Sequence, residues 1–181
     1  VAFQRKLFRL SRMSQVLAIQ PENKVDQYLR SFRLIVTPAD HFRLLHADSE
    51  QTQILWNKST QVPGQRWKKI TTNNAKKALA ELAGKEDIYM SVNAFYKWRN
   101  VALTREFNAV FVDIDLDRRA TKQDIRQAIE ILEAEKLPFP NMVVESGHGI
   151  HLYWFIERAH KDKLALWQTI ENKLVKTLKP I

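Results

Sequence analysis

Ala109-Val110-Phe111-Val112-Asp113-Ile114-Asp115-Leu116-Asp117 opens as a β-branched and aromatic run, then takes an acid at every second position. Successive side chains of a strand point to opposite faces. Val110, Val112, Ile114 and Leu116 therefore share one face, and Phe111, Asp113, Asp115 and Asp117 share the other. The first face suits a core. The second does not, because two carboxylates about 5 Å apart at an effective dielectric of about 20 repel by roughly 3 kcal/mol. A cation between them removes that cost, and carboxylates with an open coordination sphere suit Mg2+ or Mn2+. The competing reading of the same residues is a strand that runs out into an acidic loop, with Asp117 and Asp115 merely solvated.

Downstream of this strand, Thr121-Lys122-Gln123-Asp124 is a capping-box-like helix start. Ile125, Ala128, Ile129 and Leu132 give that helix one apolar face, and Leu137-Pro138-Phe139-Pro140 stops it. Met142–Glu145 reads as a strand, Gly147–Gly149 as a tight turn, and Ile150–Ile156 as a second strand. Leu164, Trp167, Ile170, Leu174 and Leu178 mark a last helix. Residues 108–178 thus run β-α-β-β-α. The first connection allows a right-handed crossover between parallel neighbours, and the second is a hairpin. The expected class is α+β: a mixed sheet with an RNA-recognition-like or ferredoxin-like half over 108–178 and an α/β half before it. Such a unit would take one more strand after Ile181.

Glu145-Ser146-Gly147-His148-Gly149-Ile150-His151-Leu152-Tyr153-Trp154 is the other informative stretch. Its glycines allow a sharp turn and close approach of a ligand to the backbone. In the strand that follows, Ile150, Leu152, Trp154 and Ile156 face one way, and His151, Tyr153 and Phe155 the other. Where this strand neighbours the acidic one, His151 looks onto the face of Asp113 and Asp115. Ser146, the turn amides and a histidine behind them form a seat for phosphate oxygens. A histidine satisfied within a core is the plainer reading of His151, and His148 belongs to the turn itself.

Upstream, Val25, Tyr28, Leu29 and Phe32 fall at helical spacing after the turn at Pro21-Glu22-Asn23. Strands are expected at Arg33–Val36, Phe42–Leu45 and Ile54–Trp56, with His41 and His46 as ordinary surface or core residues. Thr72 can cap a helix bearing Ala75, Ala78, Leu79 and Leu82, ended by Gly84. Asp87–Phe95 reads as one strand reaching a polar end at Asn93, and Lys97–Arg105 as a basic connection. Residues 1–12 are basic and lack an initial Met, so they read as a tail or leader.

The chain has 181 residues, 45% of them hydrophobic, and no cysteine. That is enough for one domain with a real core. It excludes disulfides, thiolate zinc sites and cysteine nucleophiles. No apolar run approaches a membrane span and no secretory signal is present, so a cytoplasmic protein is expected. The formal net charge of +9 favours polyanions. Cations recur beside aromatics, as in Tyr96-Lys97-Trp98-Arg99, a pairing that suits stacking on unpaired bases.

Phe111-Val112-Asp113-Ile114-Asp115 and then Ser146-Gly147-His148-Gly149-Ile150-His151-Leu152-Tyr153-Trp154 resemble the archaeo-eukaryotic primase superfamily. The nearer likeness is to the primase-polymerase domains of plasmid and mobile-element replication proteins. Ile88-Tyr89-Met90-Ser91-Val92-Asn93-Ala94-Phe95-Tyr96-Lys97 is similar to a segment that those proteins carry ahead of the acidic strand.

The resemblance implies Mg2+ or Mn2+ at Asp113 and Asp115. It implies nucleotide phosphates at Ser146, Gly147, His148 and His151, with Asp113, Asp115 and His151 as the catalytic set. It also implies a single-stranded DNA template, nucleoside triphosphates and a helicase or helicase domain as partners. Lys97, Arg99 and Arg105 are candidates for the template. The family's third acidic motif would begin about where Pro180-Ile181 stands, so a single domain over 1–181, truncated at its C-terminus, is expected. The main alternative is a non-catalytic single-stranded nucleic-acid-binding domain of a replication initiator. A haloacid-dehalogenase-type phosphatase shares Asp-x-Asp but wants Thr or Val where Asp117 stands. A His-hydrophobic-His nicking enzyme wants both histidines on one strand face, whereas His148 and His151 point opposite ways.

Overall fold

The computed structural model describes residues 23–32, 37–46, 52–57, 65–71, 73–81, 88–96, 99–146, 148–179 and 181. The chain forms two compact units, Val1–Phe32 and Arg33–Ile181. Within the first, α1 (Lys24–Ser31) is the helix that the spacing of Val25, Tyr28, Leu29 and Phe32 predicts. Asn23 caps it, its Oδ1 accepting the Asp26 amide at 2.8 Å.

The second unit contains α2 (Pro38–His46), β1 (Thr52–Asn57), β2 (Gln65–Ile70), α3 (Ala75–Ala80), β3 (Ile88–Met90) and β4 (Ala94–Phe95). It continues with β5 (Thr104–Asp115), α4 (Lys122–Ala134), β6 (Met142–Glu145), β7 (Gly149–His160) and α5 (Leu164–Leu178). The fold class is α+β. One sheet has three strands in the order β2-β1-β3, and the other has four in the order β4-β5-β7-β6.

All neighbours in the four-stranded sheet are antiparallel. The expected mixed sheet, with the acidic strand and Met142–Glu145 as parallel neighbours, is therefore corrected: β7 lies between them. The tight turn before Gly149 obliges β7 to pair with β6. Of the two, β7 is the strand whose Ile150, Leu152, Tyr153 and Trp154 are all buried, so it takes the interior position. On the far side of β5 the edge is β4, a strand that precedes β5 in the chain.

Alternation sorts this sheet into two faces. Leu45 of α2 packs with Ala109, Phe111, Met142, Val144, Tyr153 and Phe155. That leaves Val110, Val112 and Ile114 of β5, with Ile150, Leu152 and Trp154 of β7, for the opposite face. There α4 presents Ile125, Ala128, Ile129 and Leu132, and α5 presents Leu174 and Leu178, all buried. The α4 capping box forms as read, the Thr121 hydroxyl accepting from the Asp124 amide and the Asp124 side chain returning to Thr121. Trp167 of α5 stacks on Phe107 at 5.0 Å and donates its indole N–H to the Ala109 carbonyl at 2.9 Å.

Two local expectations change. Phe42–Leu45 is part of helix α2 rather than a strand, because Pro38 and Asp40 follow Thr37 as a helix start. Phe42 and Leu45 then fall on its buried side, with Phe42 against Ile70, Ala75 and Ala78. Asp87–Phe95 is not one strand. Ser91, Val92 and Asn93 turn a corner, so β3 joins the first sheet and β4 the second. The expectations at Arg33–Val36, Thr72, Leu82 and Gly84 lie outside the described residues. Asn74 occupies the N-cap position of α3.

Candidate active site

The acidic strand and the histidine strand are direct neighbours in register. Asp113 is paired with His151, Phe111 with Tyr153, and Asp115 with Gly149. Opposite residues of an antiparallel pair point to the same face, and here the contact is made. His151 Nε2 lies 3.1 Å from Asp113 Oδ1, with side-chain exposures of 30% and 48%. His151 Nδ1 lies 3.2 Å from the Tyr153 hydroxyl. The Tyr153 ring is buried, and its phenol is pushed up to about 12, by burial first and then by the negative charge of Asp113.

The glycine across from Asp115 leaves that acid without a facing side chain. A Cβ on Gly149 would stand 2.8 Å from the Ile114 carbonyl oxygen and 3.0 Å from Ser146 Oγ. The hairpin is closed by the Ser146 amide on the Gly149 carbonyl at 3.0 Å, and Leu116 donates to the His148 carbonyl at 2.7 Å. Ser146 and His148 are both exposed at this end of the sheet, beside the end of the acidic strand. Gly147 and Lys97 lie outside the described residues.

Among the described residues, no arginine or lysine makes an ion pair with Asp113 or Asp115. Arg118, close behind them in sequence, holds Asp124 through both guanidinium nitrogens, at 2.8 and 2.5 Å. That contact, with hydrogen bonds from Thr121, keeps the Asp124 carboxyl well below the usual carboxylate range. Asp117 lies past the end of β5 in an exposed bend. Later acids are elsewhere: Asp162 is paired with His160, and Glu171 is half-buried in α5, its carboxyl pushed up to about 7 by burial.

Among the described residues no three acids or histidines gather into a ready-made metal cluster. The donors present still fit a hard divalent cation. Mg2+ is commonly held by one or two carboxylates, with water and substrate phosphates filling the remaining positions. Asp113 and Asp115, adjacent on one face and both exposed, offer such an open set.

Arg99 is exposed in a bend before β5. Arg105 is half-buried at the start of β5, with Nε 3.6 Å from Glu106 and its guanidinium 5.6 Å over the Tyr96 ring. It precedes Asp113 by eight positions, roughly 26 Å at about 3.3 Å per residue. Arg105 therefore lies far along the strand from the acids.

His41 belongs to the site's surroundings although its sequence position gives no hint of it. It sits edge-on to Tyr153, ring centroids 5.5 Å apart, and its Nε2 is buried without a hydrogen-bond partner. Burial first, then the charge of His151, push it down to about 4. His46, one turn further on, is a core residue as expected. Its Nε2 contacts the Ser91 carbonyl at 2.7 Å, and its Nδ1 contacts Asn108 Nδ2 at 2.9 Å. Asn93 Oδ1 accepts from the Asn108 and Ala109 amides at 2.9 and 3.4 Å, where the β5–β7 register shifts. The spacing of His41, Phe42, Leu45 and His46 is the helical signal that would have found His41.

No protein-family model matches the chain. In sequence it is 33% identical over 99 residues to a replication protein of Clostridium perfringens, a stretch covering 52% of this chain and 24% of that protein. The chain thus spans about a quarter of that relative's length. Among solved structures it is similar to the AEP domain of the cyanophage S-2L primase-polymerase (PrimPol), with a TM-score of 0.54 and 20% identity. That likeness covers 77% of this chain and 70% of the cyanophage domain. The fold is that of an archaeo-eukaryotic primase-type domain.

Proposed function

We propose that the chain, as one module over 1–181, is a primase-polymerase that joins nucleotides on a single-stranded DNA template during plasmid or mobile-element replication, the acceptor being the hydroxyl of a primer or of the first nucleotide. The single observation that carries this reading is the contact of His151 with Asp113 across neighbouring strands. It brings the acids proposed to hold the cation and the imidazole proposed to hold phosphate to one place, on a fold similar to that of a primase-polymerase domain. The half-sheet β5-α4-β6-β7-α5 has the element order of an RNA-recognition-like unit, and β4 takes the edge that a later strand would otherwise fill.

Asp113 and Asp115 would hold Mg2+ or Mn2+. When bound, such a cation neutralises triphosphate charge and lowers the pKa of the attacking hydroxyl. His151 donates from Nε2 to a phosphate oxygen, and Ser146 with the amides of Gly147 and His148 holds others. In the free protein, Asp113 and His151 satisfy each other. A cation then gives the carboxylate a partner of opposite charge, and a phosphate oxygen gives the Nε2 hydrogen an acceptor. Lys97, Arg99 and Arg105 would grip the template, and a helicase would present that strand.

The test is to incubate the protein with Mn2+, a single-stranded template and labelled nucleotides. Template-dependent products are expected, and Asp113→Ala should abolish them while leaving thermal unfolding unchanged. Salt-sensitive strand binding indifferent to Mn2+ and nucleotide would overturn the proposal in favour of a non-catalytic binding domain.

A further inference from the structure

We infer that Tyr153 is a positioning residue for the nucleotide: its hydroxyl fixes the His151 imidazole so that Nε2 carries the hydrogen and faces the acids. The inference rests on His151 being the phosphate ligand proposed above. The atoms form one chain, from Asp113 Oδ1 to His151 Nε2 at 3.1 Å, and from His151 Nδ1 to Tyr153 Oη at 3.2 Å.

The direction of each bond follows from the groups. An ionised carboxylate only accepts, so Nε2 bears the hydrogen on that side. A neutral ring then carries its lone pair on Nδ1, and the hydroxyl donates to it. Once a cation has taken up the Asp113 oxygens, a ring without that donor is free to carry its hydrogen on Nδ1. Nε2 would then turn a lone pair toward phosphate oxygens and repel them. Holding the far nitrogen to set the near one is how histidine ligands are commonly oriented.

Tyr153 is built for this work by its packing. It is 4% exposed. Its ring stacks on Phe111 at 6.2 Å, meets the His41 edge at 5.5 Å, and lies opposite Met142 in the ladder. The hydroxyl is therefore aimed by a fixed ring.

Tyr153→Phe keeps the ring and removes only the hydroxyl. The dissociation constant for dGTP with Mn2+ should rise about three- to tenfold, the worth of one neutral hydrogen bond. In a His151→Ala background the same substitution should add nothing, since the hydroxyl acts only through the imidazole. In an Asp113→Ala background, where no carboxylate holds Nε2, nitrogen-15 NMR of histidine-labelled protein without nucleotide should show His151 as the Nε2–H tautomer, and a mixture of tautomers when Tyr153→Phe is added. Additive losses in the double variant, or an unmoved tautomer, overturn the inference. A wild-type chain that binds no dGTP with Mn2+ overturns the functional reading and this role together. A wild-type chain that binds it, with Tyr153→Phe unchanged in affinity and tautomer, overturns this role alone.

Discussion

The two faces of the four-stranded sheet solve different problems with different chemistry. The face under α4 and α5 excludes water. Ala128, Ile129, Leu132, Ile150 and Leu152 are each 0% exposed there. Its polar atoms are few and local, such as the Trp154 indole N–H on the Pro138 carbonyl at 2.8 Å. The face under α2 buries polar groups: His46, Ser91, Asn93 and Asn108 are all below a tenth exposed, and His41 lies beside Tyr153. That face ends in the open acids. Apolar packing fills space without choosing a direction, whereas a site needs groups held at fixed angles, which hydrogen bonds supply.

Paired substitutions break this comparison most sharply. Asp113→Ala removes a half-exposed carboxylate and should lower nucleotide transfer on the order of a thousandfold or more, with an unchanged denaturation midpoint. Ile129→Ala on the other face should do the reverse. It should cost about 2–5 kcal/mol of stability by urea unfolding, while the protein that remains folded keeps its activity. If Asp113→Ala unfolds the chain, or Ile129→Ala spares its stability, the division between the faces is false.

Asn93→Ala tests whether the polar face is held by hydrogen bonds. The Asn93 side-chain oxygen serves the Asn108 and Ala109 amides where the ladder shifts register. Removing it should cost about 1–3 kcal/mol, the penalty of a buried donor left unpaired. Chemical denaturation measures the loss. A smaller drop would mean that water or a neighbouring carbonyl replaces the asparagine.

The same face should make stability depend on pH. His41 and His46 are both pushed down to about 4, in each case chiefly by burial. An unfolded histidine titrates near 6.5. Between these values the unfolded chain binds more protons, so stability is full above about pH 6.5 and declines as pH falls toward 4. Urea midpoints at pH 7.5 and 5 should differ in that direction. His46→Gln, neutral throughout, should flatten part of the slope. A midpoint that rises on acidification would contradict the burial of these rings.

The water-excluding face was largely legible in the sequence, because a helix against a sheet leaves a periodic trace. The spacing of Ile125, Ala128, Ile129 and Leu132 and the capping box at Thr121 and Asp124 survive as α4. The acids and His151 were legible as residues of one face, since strand alternation is local. Which strands were neighbours was not. The α4 connection is long enough to skip one position, and only the hairpin with β6 makes β7 the strand beside β5. His41 and Tyr153 were not legible as part of the site. His41 reaches it from an element that reads as a strand when the Thr37-Pro38 helix start is passed over, and Tyr153 looks like any aromatic of an interior strand.

The smallest effect belongs to the water-excluding face. α4 closes with the Leu137 amide on the Leu132 carbonyl at 2.8 Å and the Lys136 amide on the Glu133 carbonyl at 3.0 Å. This pair of bonds is the helix ending that places its penultimate residue in the left-handed region. Lys136 is there, at φ 54. A residue with a Cβ pays roughly 1 kcal/mol for that conformation, and glycine does not. Lys136→Gly should therefore raise stability by up to about 1 kcal/mol, less whatever entropy the unfolded chain gains, and leave nucleotide affinity unchanged. A stabilised chain with altered affinity would show that the end of α4 communicates with the acids, and that the two faces are less separate than their chemistry suggests.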